Sequence, residues 1–176
     1  HIARLVTWHR LYTRFYKQSL LFCDSRWPDF VNPYAPDYEG STGRIEPLLI
    51  GAVTGDTVTF RDGMEIGRKI WNLDHAIWTL QGRHRDMVRF SEYVYGTPFK
   101  TIAKDWLGRE NGQWRYISAN GRQLDRQGFE SFKTAFYTLQ GWDTTSGRPT
   151  RATLAALGLD TVADELEQQG KLGGER

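Results

Sequence analysis

The stretch that decides the fold is residues 62–87, DGMEIGRKIWNLDHAIWTLQGRHRDM. Its apolar residues recur at alternating steps of four and three, which places them on one face of a helix. Asp62 is a suitable N-cap at one end, and Gly82 is a suitable stop at the other. The stretch therefore predicts a helix over residues 63–81 with an unbroken apolar stripe, formed by Ile66, Ile70, Leu73, Ile77 and Leu80.

The same helical spacing continues on both sides of this stretch. Residues 3–23 and 126–140 repeat apolar and aromatic side chains at steps of three and four. Two short helices follow in the tail, one capped by Thr150 and one capped by Asp160. The chain is therefore predicted to be one helical region over residues 1–176, with an all-α, multi-helix fold.

The segments between these helices are rich in glycine, proline and polar residues. TVTF at 57–60 alternates like a short strand, while 96–122 is predicted to be a connection interrupted by a short segment at 102–107. Residues 170–176, GKLGGER, are predicted to be a frayed tail. The helices are therefore joined by long loops.

Composition excludes several classes of protein. The net charge of +2 gives no case for binding nucleic acid or an anionic membrane, and no apolar run approaches the length needed for a membrane span. A single cysteine fits a reducing compartment, so we expect a cytoplasmic protein. The chain begins with His1 inside a helical pattern, which predicts a cut within a longer polypeptide, although processing or removal of a tag would look the same.

Few residues point to chemistry by themselves. Cys23 is either an inert core residue or a metal ligand whose partners lie elsewhere, and free cysteines are more often buried. The histidines show no metal-binding spacing, so His75 is expected to pack or to be half-exposed, and His84 is expected to be solvated or ion-paired. The GRHRD cluster at 82–86 favours salt bridges, and the acidic residues of the last helix favour a solvated face.

Three segments in order are more specific than any single residue. They are SLLFCDSRWP at 19–28 with IGAVTG at 50–55, the stretch at 62–87, and FKTAFYTLQGWDTTSGRPTRATLAALGL at 132–159. Together they resemble the C-terminal helical part of the tungsten-dependent aldehyde ferredoxin oxidoreductase family. GRKIWNL, GWD, GRPT and LGL match motifs of that family, and the resemblance extends over nearly the whole chain.

The resemblance implies roles for three residues. Cys23 stands at the position of the fourth ligand of a [4Fe–4S] cluster, whose other three cysteines lie upstream in the family. Gln18 replaces an aspartate that contacts the tungstopterin in many relatives, and its amide can still donate and accept hydrogen bonds. The backbone near Phe22 is the other pterin-contacting position. The family's catalytic residues fall upstream, so no catalytic residue is assigned here.

The implied function is that of part of a larger tungstopterin subunit. That enzyme would oxidise small aldehydes to carboxylic acids and pass electrons through the cluster to a ferredoxin or a ferredoxin-like iron–sulfur subunit. Two alternatives remain open: the tungsten subunit of an ATP-independent benzoyl-CoA reductase, and a non-enzymatic helical binding module. The remainder of the catalytic chain is an expected partner in both enzyme interpretations.

Overall fold

The structure, a computed structural model, describes residues 1–23, 27–100 and 105–174. Helices dominate these residues, which confirms the predicted multi-helix fold with loops. None of the helices in the described ranges combines the length and apolar character that crossing a bilayer requires.

The N-terminal helical segment has an irregular middle. It begins with α1, Ile2–Tyr12, continues through a π-helical turn, Thr13–Lys17, and finishes with α2, Gln18–Leu20. Leu21 then adopts a left-handed conformation with φ of 54°, which ends the helix. The predicted helix over 3–23 is therefore confirmed in position but ends slightly earlier.

The next two helices form a pair joined by a short connection. α3 spans Ile45–Thr54, and α4 spans Phe60–Leu80. Thr59, and not Asp62, caps α4: its hydroxyl accepts from the Asp62 N–H, and the Asp62 carboxylate accepts from the Thr59 N–H. The strand predicted over residues 57–60 is wrong, because Thr59 and Phe60 instead begin this helix with a capping box.

The buried face of α4 differs from the predicted stripe. Ile66, Leu73 and Ile77 are exposed by 39%, 39% and 45%. The residues that face the other helices of this chain are small, aromatic or polar. They are Gly63, Gly67, Trp71, Asn72, His75, Ala76 and Thr79. Gly67 allows the backbone of α1 to approach closely, and Gly63 makes room for the Tyr16 ring.

Between α4 and the C-terminal helices lie short elements and one hairpin. A 3₁₀ turn, Arg85–Met87, precedes α5, Glu92–Gly96, and strands β1, Trp106–Glu110, and β2, Gln113–Ile117, pair antiparallel. Asn111 and Gly112 both have positive φ, as an Asn-Gly hairpin turn requires. The prediction of a plain connection missed this hairpin, while residues 101–104 of the predicted short segment lie outside the described ranges.

The C-terminal part packs onto α4. α6, Arg126–Gln140, is capped by Asp125, and α7, Arg151–Ala155, by Thr150, as predicted for Thr150. α8, Asp160–Gln168, includes Asp160 as its first residue, so the predicted cap is off by one position. The apolar cluster behind these helices contains Ala76, Leu154, Leu159, Ala163 and Leu166.

The tail after α8 is docked rather than frayed over its first residues. The Lys171 side chain donates to the Leu80 carbonyl, and the Gly173 N–H donates to the Pro149 carbonyl at 2.8 Å. Leu172 packs against the apolar cluster of α7 and α8. The prediction of fraying fails for residues 170–173 because burial of Leu172 and these hydrogen bonds fix the backbone.

Candidate functional site

The candidate site is the segment that leaves α2 and contains the three residues singled out from the sequence. Gln18 and Cys23 are exposed, and Phe22 is half-buried. Phe22 contacts the Trp27 ring, with 4.8 Å between the ring centroids. The Trp27 backbone N–H donates to the Cys23 carbonyl at 2.9 Å. Gln18, Phe22 and Cys23 therefore share one short stretch of backbone.

A buried carboxylate holds both ends of this segment. Glu46 is fully buried, and its Oε1 accepts from the Tyr12 hydroxyl at 2.9 Å and from Trp27 Nε1 at 3.0 Å. Its Oε2 accepts from the Gly43 N–H at 2.6 Å. Three donors compensate the desolvation of one carboxylate, and they come from both sides of Cys23 in sequence. Trp27, four residues after Cys23, is thus tied through Glu46 to α1 and α3.

Two buried tyrosines support the π-helical turn before the segment. Burial, together with the hydrogen bond to Glu46, raises the pKa of Tyr12 well above its ordinary value. Burial raises the pKa of Tyr16 to about 12, and its hydroxyl donates to the Thr59 and Phe60 carbonyls. Both phenols therefore stay neutral donors at ordinary pH, and they fasten the end of the first helical segment to α3 and α4.

Cys23 is exposed within this chain, so it is not part of the core that these residues form. A cubane cluster needs four ligands, and this chain has one cysteine. Within the described ranges, no group of three or more histidine, cysteine or acidic side chains could hold a metal ion. The residues present therefore fit a single accessible thiolate ligand to a cluster whose other ligands come from elsewhere.

The sequence motifs at 67–73 and 141–143 meet in space. Trp142 Nε1 donates to Asn72 Oδ1 at 2.8 Å, and the Trp71 and Trp142 ring centroids are 6.0 Å apart. His75 stacks on Trp142 with 3.5 Å between ring centroids, and its Nε2 donates to the Gly147 carbonyl at 2.7 Å. These motifs therefore lock α4 to the turn after α6, which is a structural role.

The remaining sequence candidates have ordinary surroundings. His75 is buried, as the packing prediction expected, and burial lowers its pKa to about 4. His84 is half-exposed and lies 3.7 Å from the Asp86 carboxylate. Arg85 pairs with Glu130 at 2.9 Å, and Arg151 pairs with two acidic residues of α8, Asp164 and Glu167. The salt-bridge and solvated-face predictions for these groups are confirmed.

The sequence interpretation missed Glu46. The available signal was an acidic side chain inside the apolar run IEPLLI at 45–50, where an unpaired charge would be costly to bury. Which donors satisfy it could not be read from that run, because Tyr12 and Trp27 lie 34 and 19 residues away.

Comparison with known proteins gives the family. A family model described as "Aldehyde ferredoxin oxidoreductase, domains 2 & 3" matches residues 1–159. The chain belongs to the aldehyde ferredoxin oxidoreductase family, as the resemblance predicted.

One solved structure is similar in part. It is described as the active site complex of benzoyl coenzyme A reductase in complex with 1,5-dienoyl-CoA, and it matches 73% of this chain with a TM-score of 0.49 and 19% sequence identity. This chain spans 16% of the length of that protein's chain.

Proposed function

We propose that this chain is part of a cytoplasmic tungstopterin and iron–sulfur enzyme that oxidises aldehydes to carboxylic acids. In this proposal Cys23 is the fourth ligand of a [4Fe–4S] cluster, and Gln18 and the backbone near Phe22 contact the tungstopterin. The remainder of the catalytic chain supplies the other cluster ligands and the catalytic residues. A ferredoxin or ferredoxin-like subunit accepts the electrons.

The observation that carries the proposal is the exposed thiol between two anchored parts of the chain. Cysteine is among the residue types most often buried, yet Cys23 is exposed while hydrogen bonds to Glu46 anchor the chain on both sides of it. A ligand to a cluster held by another part of the protein has to be accessible and preorganised. Family membership supports an oxidoreductase over a helical adaptor.

The neighbours of Cys23 suit this role chemically. Phe22, half-buried against Trp27, gives the sulfur an apolar neighbour, and the shell around a cluster influences its potential by limiting water. The Gln18 amide is exposed and can both donate to and accept from a pterin ring. When bound, the two cofactors supply a redox centre at which an aldehyde and water give a carboxylic acid, two protons and two electrons.

The test is Cys23→Ser in the full-length enzyme. Because a serine hydroxyl is a poor substitute for thiolate, we expect iron content to fall by about one cluster and the electron paramagnetic resonance signal of the reduced cluster to be lost or altered. Ser19→Ala, an exposed change four residues away, is the matched control and should retain both. Unchanged iron and an unchanged signal in Cys23→Ser would refute the ligand assignment.

Activity assays of the full-length wild-type protein distinguish the two enzyme alternatives. Oxidation of benzaldehyde with reduction of ferredoxin supports the proposal, while reduction of benzoyl-CoA without aldehyde oxidation supports a benzoyl-CoA reductase. Metal analysis completes the comparison: tungsten together with iron is expected, and the absence of both would favour the helical binding module.

A further inference from the structure

A cavity of about 160 Å³ lies between α1, α4 and α6. Its described lining residues do not include Gln18, Phe22 or Cys23. Its walls are largely aromatic, including Trp71 and Trp78 from α4 and Phe132 from α6. The phenylalanines of α6 form a ladder along this wall, with centroids 6.1 Å apart at each step from Phe129 to Phe136. The cavity therefore offers flat apolar surfaces.

Three guanidinium groups surround the two tryptophans of this cavity. Arg10 lies 5.5 Å and Arg14 lies 5.1 Å from the Trp71 ring, while Arg83 lies 4.8 Å from the Trp78 ring. Arg14 is neutralised by Asp74 at 3.0 Å. In the part of the chain that the structure describes, Arg10 and Arg83 have no carboxylate partner, although both line the cavity.

One buried polar atom on a cavity residue also lacks a partner. Trp71 is 93% buried, and its indole N–H has no hydrogen-bond acceptor within the described ranges. His75 is neutral at ordinary pH and donates from Nε2 to a carbonyl, which leaves Nδ1 as an acceptor. A buried donor without a partner is costly, and an occupant with an acceptor atom would remove that cost.

We propose that this cavity binds a small aromatic carboxylate, with the ring between the aromatic walls and the carboxylate on Arg10 and Arg83. The size supports one ring, because an apolar protein cavity of about 150 Å³ binds benzene. Guanidinium groups are the preferred partners of carboxylates, and planar rings stack on aromatic faces. The proposal does not depend on Cys23 or on the reaction proposed above.

Simpler occupants match only part of the lining. A small inorganic anion would contact the arginines but would leave the aromatic walls without contacts. A neutral ring would contact the walls, while Arg10 and Arg83, which are exposed, would stay hydrated. A ligand that combines a ring with a negative charge matches both parts of the site.

The experiment measures binding of 4-fluorobenzoate to the full-length protein by fluorine NMR. In the double variant Arg10→Gln with Arg83→Gln, we expect affinity at this site to fall at least tenfold, since each charged hydrogen bond contributes about a tenfold effect or more. Arg61→Gln, an exposed arginine on the first turn of α4, is the matched control and should bind as the wild type does. The circular dichroism spectrum and the thermal unfolding midpoint of each variant verify that it keeps its fold.

Two further comparisons make the result specific. Val88→Phe fills the cavity and leaves both arginines in place, so it should also abolish this binding. Acetate and 4-fluorobenzyl alcohol should compete at least tenfold more weakly than benzoate. Acetate lacks the aromatic ring, and the alcohol lacks the carboxylate. Absence of binding to the wild type, or binding that survives both the arginine and the Val88 variants, would overturn the proposal.

Discussion

Single buried polar side chains fix how the segments of this protein pack against one another. Glu46 gathers three donors, and Asn72 accepts from Trp142 while donating to the Arg68 carbonyl. Each of these groups is completely buried. Because a buried polar atom is costly without a partner, each network selects one arrangement of the segments that it joins.

His75 makes stability depend on pH. Burial lowers its pKa from 6.5 to about 4 in the folded protein, so the unfolded chain binds a proton more readily over that range. The contribution of this residue is fully present above about pH 6.5 and is lost as the pH falls toward about 4, by roughly 3 kcal/mol in total. We expect His75→Gln to flatten the fall in unfolding free energy across this range in denaturant titrations.

The matched control is His84→Gln, because His84 is half-exposed and close only to Asp86. That variant should keep the pH dependence of the wild type. A His75→Gln protein with the same slope as the wild type would show that burial of His75 does not govern acid stability.

The close crossing of α1 and α4 depends on small residues. A side chain at Gly67 would overlap the Leu11 carbonyl, and one at Gly63 would overlap the Tyr16 ring. Gly67 lets α4 approach the backbone of α1, and Gly63 leaves room for the ring of Tyr16. The glycines of the α4 motif are therefore explained by packing and not by flexibility.

We expect Gly67→Ala to destabilise the protein by about 1–3 kcal/mol, because the added methyl group forces α1 and α4 apart. Denaturant or thermal unfolding measures this change. Gly96→Ala, at the end of α5 where a side chain would meet open space, is the control and should change stability by less than about 0.5 kcal/mol. Equal stabilities of the two variants would contradict the close crossing.

Several apolar side chains of α3 and α4 are exposed on the surface of this chain. α4 buries one face in this chain and exposes Ile66, Leu73 and Ile77 on another, while α3 exposes Leu48 and Val53. A helix that is apolar on both sides is normally enclosed by protein. We propose that the remainder of the catalytic chain covers these faces. This agrees with the match to a family model that describes domains 2 and 3.

Leu73→Glu in the full-length protein tests this enclosure. If the remainder of the chain covers α4, a buried carboxylate without a partner should cost at least about 2 kcal/mol of unfolding free energy. Glu65→Gln on the same helix, at an exposed charged position, should change stability by less than about 0.5 kcal/mol. A Leu73→Glu variant as stable as the control would mean that this stripe faces water.

The local sequence pattern predicted the long helices α4 and α6 well, but it did not predict α3 or α5. The spacing of apolar residues and the end signals placed α4 and α6 within a few residues, because helix boundaries depend on nearby side chains. The Asn-Gly pair at 111–112 is also a local hairpin signal, since both residues have positive φ. Sequence motifs were sufficient to give the family, which the family comparison confirmed.

The sequence by itself determined where the first helical segment, α4 and the C-terminal helices lie and to which family the chain belongs, since these depend on residues close in the chain. It did not predict α3 or α5. Only the tertiary structure decided which face of α4 is buried, that Cys23 is exposed, and that Glu46 joins Tyr12 to Trp27. These features arise from contacts between residues far apart in sequence. Periodicity reports that a helix has an apolar face, but close packing at Gly63 and Gly67 selects the face that α1 covers.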